Sequence, residues 1–182
     1  HVAEWFRQDI KNVVGSFPKL YFDEIPGTKE IVLIGSVGNN PLIDKLIREG
    51  KIDIAGIKGK WEATQIEIVE NPFDRVNKAL VIIGSDKRGT LFGMLDVSKK
   101  IGVSPWYWWA DVPVAQHDGI YFNAGKYITE SPKVKYRGFF INDEAPALSG
   151  WVAENYGSFN HEFYEKVFEL ILRLKGNFLW PA

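Results

Sequence analysis

Residues 137–146 read RGFFINDEAP, and the way this stretch ends decides the fold. The apolar run KYRGFFI over 135–141 is cut off by an amide and two carboxylates, Asn142, Asp143 and Glu144, and then by Pro146. The run is too continuous for a half-solvated strand and suits a parallel sheet covered on both faces. After a loop over 142–159 comes NHEFYEKVFELILRLKGN, residues 160–177. Asn160 reads as an N-cap, with Glu162 in the first turn. Phe163, Val167, Leu170, Ile171 and Leu174 form an apolar stripe, and Arg173, Lys175 and Gly176 close the helix. NFLWPA, residues 177–182, is the next strand. The unit is strand, long loop, helix, strand: one βαβ step, with a right-handed crossover expected.

The spacing from Ile141 to Trp180 is one repeat of the size used by a (β/α)8 barrel, of which a whole copy needs about 250 residues. In such barrels the chemistry sits at the C-terminal ends of the strands. Asn142, Asp143 and Glu144 fall at the end of the first strand and Trp180 at the end of the second. Taken as a bare pattern, an acidic strand end is also an ordinary turn, and both readings stand at this level.

Residues 1–130 follow a different rhythm. Val2, Trp5, Phe6, Ile10, Val13 and Val14 recur at helical spacing with no cap before them. IVLIG (31–35) is a buried strand. NPLIDKLIREG begins with Asn40 as N-cap and Pro41 at the first helical position, and Gly50 lies just past its end. KWEATQIEIVE (60–70) alternates as a half-exposed strand, and ALVIIGSD (79–86) is another buried one. RGTLFGMLDVSKKIG (88–102) is a helix with Lys99 and Lys100 in its last turn. WYWWADVPV and GIYFNAGKYI read as extended. The fold class is therefore α/β: a mixed α/β domain over 1–130, then the first βαβ step of a (β/α)8 barrel over 131–182. Both ends look cut, so the chain reads as a segment of a longer protein.

Glycines in LIGSVGNNP and IIGSDKRGT lie between strand and helix, where backbone N–H groups can cradle a phosphate. Neither stretch matches GxGxxG or GxxxxGK[ST], and tight-turn glycines are the plainer reading. Asp86, Lys87 and Arg88 read as a solvated turn or, as the lesser alternative, as a turn facing the second unit. SPWYWWADVP (104–113) carries four aromatics in a row, which cannot all face one side of a strand. They are either a wedge between two units or a wall for stacking sugars. His117 is alone in a polar loop, and no spacing resembles a zinc site.

Composition excludes several classes. The 182 residues are 46% hydrophobic, with Lys+Arg 22 against Asp+Glu 23, so a net charge of -1 gives no electrostatic case for nucleic acid or an anionic membrane. No apolar run reaches about 18 residues, and HVAEWFRQDI does not read as a signal peptide. Cys 0 removes disulfide and thiolate chemistry. Aromatic content is high, at 14% with Trp 7, which serves either core packing or sugar platforms.

Long stretches then become recognisable: LIGSVGNNPLIDKLIREGKID, IIGSDKRGTLFGMLDVSKKIGVSPWYWWADVPV, KYRGFFINDEAPALSGW and FYEKVFELILRLKGNFLWPA. With these the chain resembles glycoside hydrolase family 115, the xylan α-1,2-glucuronidases, over most of 31–182. The resemblance implies an N-terminal α/β domain, a (β/α)8 catalytic barrel and further domains. It implies removal of glucuronic or 4-O-methylglucuronic acid side chains from glucuronoxylan with inversion. Inversion needs one carboxylic acid to protonate the leaving oxygen and one carboxylate to activate water, roughly 6.5–9.5 Å apart. An anionic sugar also calls for cationic or N–H-rich surroundings.

Carried over residue by residue, the resemblance puts Asn142 and Asp143 in the sugar pocket, with Asp143 either catalytic or a hydrogen-bond partner of substrate hydroxyls. Glu144, in the same motif, is counted with the substrate pocket and reads better as loop support than as catalyst. Trp180, in LWPA, is a pocket wall or ordinary barrel packing, and Arg137 reads as an internal barrel salt bridge. The general acid and the uronate-binding residues are expected beyond Ala182, so the isolated chain is expected to be inactive. No cofactor or metal is implied. The expected partner is xylan or glucuronoxylan, the expected location extracellular or periplasmic, and the oligomeric state is open, a homodimer included. The competing reading is a carbohydrate-binding module that uses the 106–109 aromatics without catalysis.

Overall fold

The caps legible in the sequence start the helices they were read to start. In the computed structural model, which describes residues 1–181, the Asn40 side chain accepts from the Leu42 and Ile43 N–H groups at the head of α2 (Pro41–Arg48). Asn160 does the same for Glu162 and Phe163 at the head of α5 (His161–Arg173). Asp86 caps α3 (Lys87–Lys100) through the Gly89 N–H. Such caps contribute about 1 kcal/mol each. α1 (Val2–Val14) has no side-chain cap at its start.

β1 (Glu30–Ser36), β2 (Thr64–Phe73), β3 (Val76–Gly84) and β4 (Lys126–Thr129) form one sheet in the order β1-β3-β2-β4. β1 and β3 are parallel; β2 runs antiparallel to β3 on one side and β4 on the other. Helices cover both faces. Val81 and Ile83 face α2 with Leu33, Ile43 and Leu46, while Leu80 and Ile82 face α1 and α3 with Phe6, Met94 and Val97. This period-two division is what a doubly covered strand requires. Full burial of an isoleucine such as Ile82 or Ile83 contributes roughly 1.5–3 kcal/mol.

The second sheet has two strands, β5 (Gly138–Ile141) and β6 (Phe178–Pro181), paired in parallel with Phe140 opposite Trp180. α4 (Ala147–Tyr156) and α5 lie between them in sequence. Ile141, Phe139 and Leu179 pack on Val152, Phe163, Val167 and Ile171 of those helices. The architecture is mixed α/β.

Four expectations need correction. The segment read as a strand over 60–70 starts only at Thr64, because Glu62 has a φ of 51° and turns the chain. The same strand then runs through the buried Phe73 into a tight hairpin with β3 instead of standing half exposed. The stretch after Ile141 is not all loop, since α4 occupies 147–156. Residues 106–110, read as extended, lie in a series of turns in which Tyr107 N–H donates to Ser104 O and Ala110 N–H to Trp106 O.

Candidate active site

A parallel pair has two distinct ends, and in β5 and β6 they differ in chemistry. At the C-terminal end the chain leaves β5 as Asn142, Asp143 and Glu144. The Asn142 side-chain oxygen accepts the Glu144 N–H at 3.0 Å, a local turn that closes the strand. Asn142 and Glu144 are exposed and Asp143 is half-buried. Among the described residues the Asp143 carboxylate has no hydrogen-bond or ion-pair partner. The register sets Trp180 opposite Phe140, two residues before Asn142, roughly 7 Å along the strand. The structure thus brings the triplet and Trp180 to one edge of the pair.

Trp180 is 64% exposed and meets the Phe140 ring edge-on at 6.2 Å, with Phe140 54% exposed. Tyr136 and Phe178 meet nearer the other end, tilted at 59°. These four rings stand on the opposite face from Phe139, Ile141 and Leu179, so helices cover one face of the pair and leave an aromatic one bare.

At the N-terminal end stands a buried carboxylate with three partners. Glu62 is 2% exposed; it accepts from Arg137 Nη2 at 2.5 Å, Arg88 Nε at 2.6 Å and Asn177 Nδ2 at 3.0 Å. Arg137 precedes β5 and Asn177 precedes β6, so one side chain of the first sheet's region ties both strand starts. Arg137 was read as a salt-bridge residue inside the barrel. It does form a salt bridge, but to Glu62. Arg88, read as solvated, joins the same node because Asp86 caps α3 and also accepts the Glu62 N–H.

A second polar seam runs along α5. Arg173 Nη1 and Nη2 donate to the two carboxylate oxygens of Asp9 at 2.9 and 3.0 Å, and Nε donates to Glu169 at 2.9 Å. Tyr107 O–H donates to the same Glu169 oxygen at 2.9 Å. Burial, then the charge of Glu169, push the Tyr107 phenol well above its ordinary range, so it stays a donor. Burial alone would lower the Arg173 guanidinium, but hydrogen bonds and charge from Asp9 and then Glu169 outweigh it and raise it.

The aromatic run lies on this seam. Trp109 Nε1 donates to Lys166 O, and its ring meets Trp108 at 4.8 Å edge-on and Trp151 at 5.8 Å. Lys166 sits over Trp108, and there is no room for a water molecule between the run and α5. Three of the four rings are therefore committed to packing as a wedge, and only Trp106, 44% exposed, is open.

The glycine turns also resolve. β1 and β3 are adjacent and parallel, and their chains leave to opposite faces, the usual place for a ligand crevice in an open α/β sheet. Here the space is taken. A Cβ on Gly35 would fall 2.7 Å from the Asn40 Cβ, and one on Gly84 would strike the Thr90 backbone. Asn40 and Asp86 already accept the first N–H groups of both helices. These glycines permit close packing of caps.

Sequence reasoning placed Asn142, Asp143, Glu144 and Trp180 at the strand ends, where they lie, but missed Glu62 and Asp9 as organising groups. The two acids look like any surface acid until their partners, far along the chain, are placed.

Two comparisons with known proteins bear on the family and the fold. The family model described as Glycosyl hydrolase family 115 matches residues 129–182. A solved family GH115 4-O-methyl-alpha-glucuronidase with specificity for decorated arabinogalactans matches with a TM-score of 0.82 and 31% identity. That match covers 100% of this chain and 23% of the other, so the chain spans about a quarter of the protein it resembles. No curated protein matches. The chain takes the fold of the corresponding part of that family GH115 structure. The chain belongs to family 115.

Proposed function

We propose that this chain is part of an α-glucuronidase that removes glucuronic or 4-O-methylglucuronic acid side chains from glucuronoxylan with inversion. The observation that carries the reading is Asp143: a half-buried carboxylate with no partner among the described residues, at the C-terminal end of a parallel strand in a family 115 chain. A structural acid in such a position is normally paired, as Glu62 is. A free one can exchange a proton or accept from a sugar hydroxyl.

β5, α5 and β6 are the first step of a (β/α)8 barrel in this reading, and residues 131–182 begin the catalytic domain after an accessory α/β domain over 1–130. The bare aromatic face of the strand pair supports it, because the inward face of a barrel is filled by side chains from other strands. Asn142 hydrogen-bonds the sugar and Trp180 walls the pocket, while Glu144 shapes the turn beside it. The general acid and the residues that hold the uronate carboxylate come from other strands, so the 182-residue chain alone is inactive. A polymeric plant substrate puts the enzyme outside the cytoplasm, in the periplasm or medium.

The test is proton NMR of the whole protein acting on glucuronoxylan, with a decorated arabinogalactan in parallel. Free 4-O-methylglucuronic acid should appear first as the β-anomer, and the purified 182-residue chain should release none. First appearance of the α-anomer would replace inversion with retention, and release from arabinogalactan alone would move the substrate to that polymer. No release from either would overturn the reading.

A further inference from the structure

Away from the strand ends, the flank of α3 and the outer strand β4 border an open groove of about 420 Å³ lined by Ile66, Asp96, Lys99, Lys100, Tyr127 and Thr129. Its shape follows from the register. Tyr127 lies opposite Ile66 and Thr129 opposite Thr64, so Tyr127 and Thr129 share the face that carries α3. Asp96, Lys99 and Lys100, at helical offsets of three and four, form the wall. The volume falls in the range that holds a small ligand.

The charges in this groove do not cancel. Asp96 is engaged by Lys175 Nζ at 2.7 Å, and Glu130, next along the chain from Thr129, is engaged by Lys60 at 3.3 Å. Among the described residues Lys99 and Lys100 have no carboxylate partner. The Lys100 ammonium is held 4.3 Å from the centre of the Tyr127 ring, which fixes it in position and closes that ring face to a stacked sugar. The Thr129 hydroxyl makes no hydrogen bond among the described residues. The position of Lys99 and Lys100 in the last turn of a helix accounts for their sign, since cations are favoured there. It does not account for a concave wall of cations whose neighbouring acids are all paired elsewhere.

We propose that this groove is a second carbohydrate site that binds the carboxylate of a uronic acid on a polysaccharide, through Lys99 and Lys100 with the Thr129 hydroxyl as a further donor. Charge-assisted bonds from two ammonium groups favour a carboxylate over a neutral sugar. The choice of polysaccharide rests on the function proposed above. The binding does not, because it is read by retention and not by turnover.

The experiment is affinity electrophoresis of the whole protein in gels holding glucuronoxylan or the same polymer with its uronic carboxyls reduced to alcohols. The wild-type protein should be retarded more by the acidic polymer. The double variant K99Q/K100Q, altered only at exposed positions, should lose about fivefold in that retardation, the scale of two partly exposed ion pairs. Its release of 4-O-methylglucuronic acid from a short xylo-oligosaccharide should be unchanged. Equal retardation of variant and wild type would overturn the proposal, as would a lysine-dependent retardation that survives carboxyl reduction. Competition by inorganic sulfate as effective as by free glucuronate would reduce the groove to a general anion site and overturn the uronate assignment. Failure to release uronic acid, with lysine-dependent retention intact, would sink the proposed activity and leave the groove standing.

Discussion

Glu62 and Asp143 are the same chemistry in opposite circumstances. Glu62 lies at the N-terminal end of the β5–β6 pair, 2% exposed, with two guanidiniums and an amide on its two oxygens. Asp143 lies at the other end, half-buried, with no partner among the described residues. A buried carboxylate with both oxygens engaged holds a structure together and is of little use to a substrate. A carboxylate with none engaged adds little to the fold and is available. The contrast separates the end of the pair that anchors the first sheet from the end that can do chemistry, at roughly 3.3 Å per residue from Arg137 to Asn142.

The largest effect should come from breaking the anchored end. Glu62→Ala leaves Arg137 facing Arg88 without an anion, and should cost about 3–5 kcal/mol in urea unfolding of the whole protein. Turnover per folded molecule should stay near wild type. If stability is unchanged, the node is decorative and the contrast fails. Next comes the free end: Asp143→Ala should cut turnover on glucuronoxylan by at least about two orders of magnitude. Its unfolding free energy should move by less than about 0.5 kcal/mol. Near wild-type turnover would demote Asp143 to a turn residue.

A smaller effect tests the seam along α5. Tyr107→Phe removes the donor to Glu169 but keeps the ring, and should cost about 1.5 kcal/mol. Because the Tyr107 phenol is raised in the fold above its ordinary 10.0, the unfolded chain loses that proton first as pH rises. Stability from this group is full below pH 10.0 and declines above it. The Tyr107→Phe protein should therefore show a shallower loss of stability between about pH 10 and 12 than the wild type. Identical slopes would place the phenol outside the folded interior.

What could be read from the sequence was local chemistry. Asn40, Pro41, Asn160 and the alternation across β3 announce themselves within a few residues, because caps and pleats act over that range. α4 did not, since ALSGWVAENY has no side-chain cap and contains Gly150, and its helix is fixed by Val152 packing against α5. Glu62 was invisible for a different reason: its partners Arg137 and Asn177 lie 75 and 115 residues away. At the candidate site the triplet and Trp180 were legible because strand ends and repeat length are sequence properties. Whether Asp143 had a partner was not, because that depends on what the rest of the fold brings near.

The tryptophan wedge has an optical consequence. Trp108 and Trp109 hold their indoles edge-on at 4.8 Å, and Trp151 joins them from α4. Indoles that close, at fixed angles, couple their electronic transitions and give a signed near-ultraviolet circular dichroism couplet. Trp108 and Trp109 come from the segment after α3 and Trp151 from α4, so the cluster spans the joint between that segment and α4. The part of the couplet that Trp151 contributes is therefore a built-in gauge of that joint: it should be lost on undocking while the far-ultraviolet spectrum of each sheet persists.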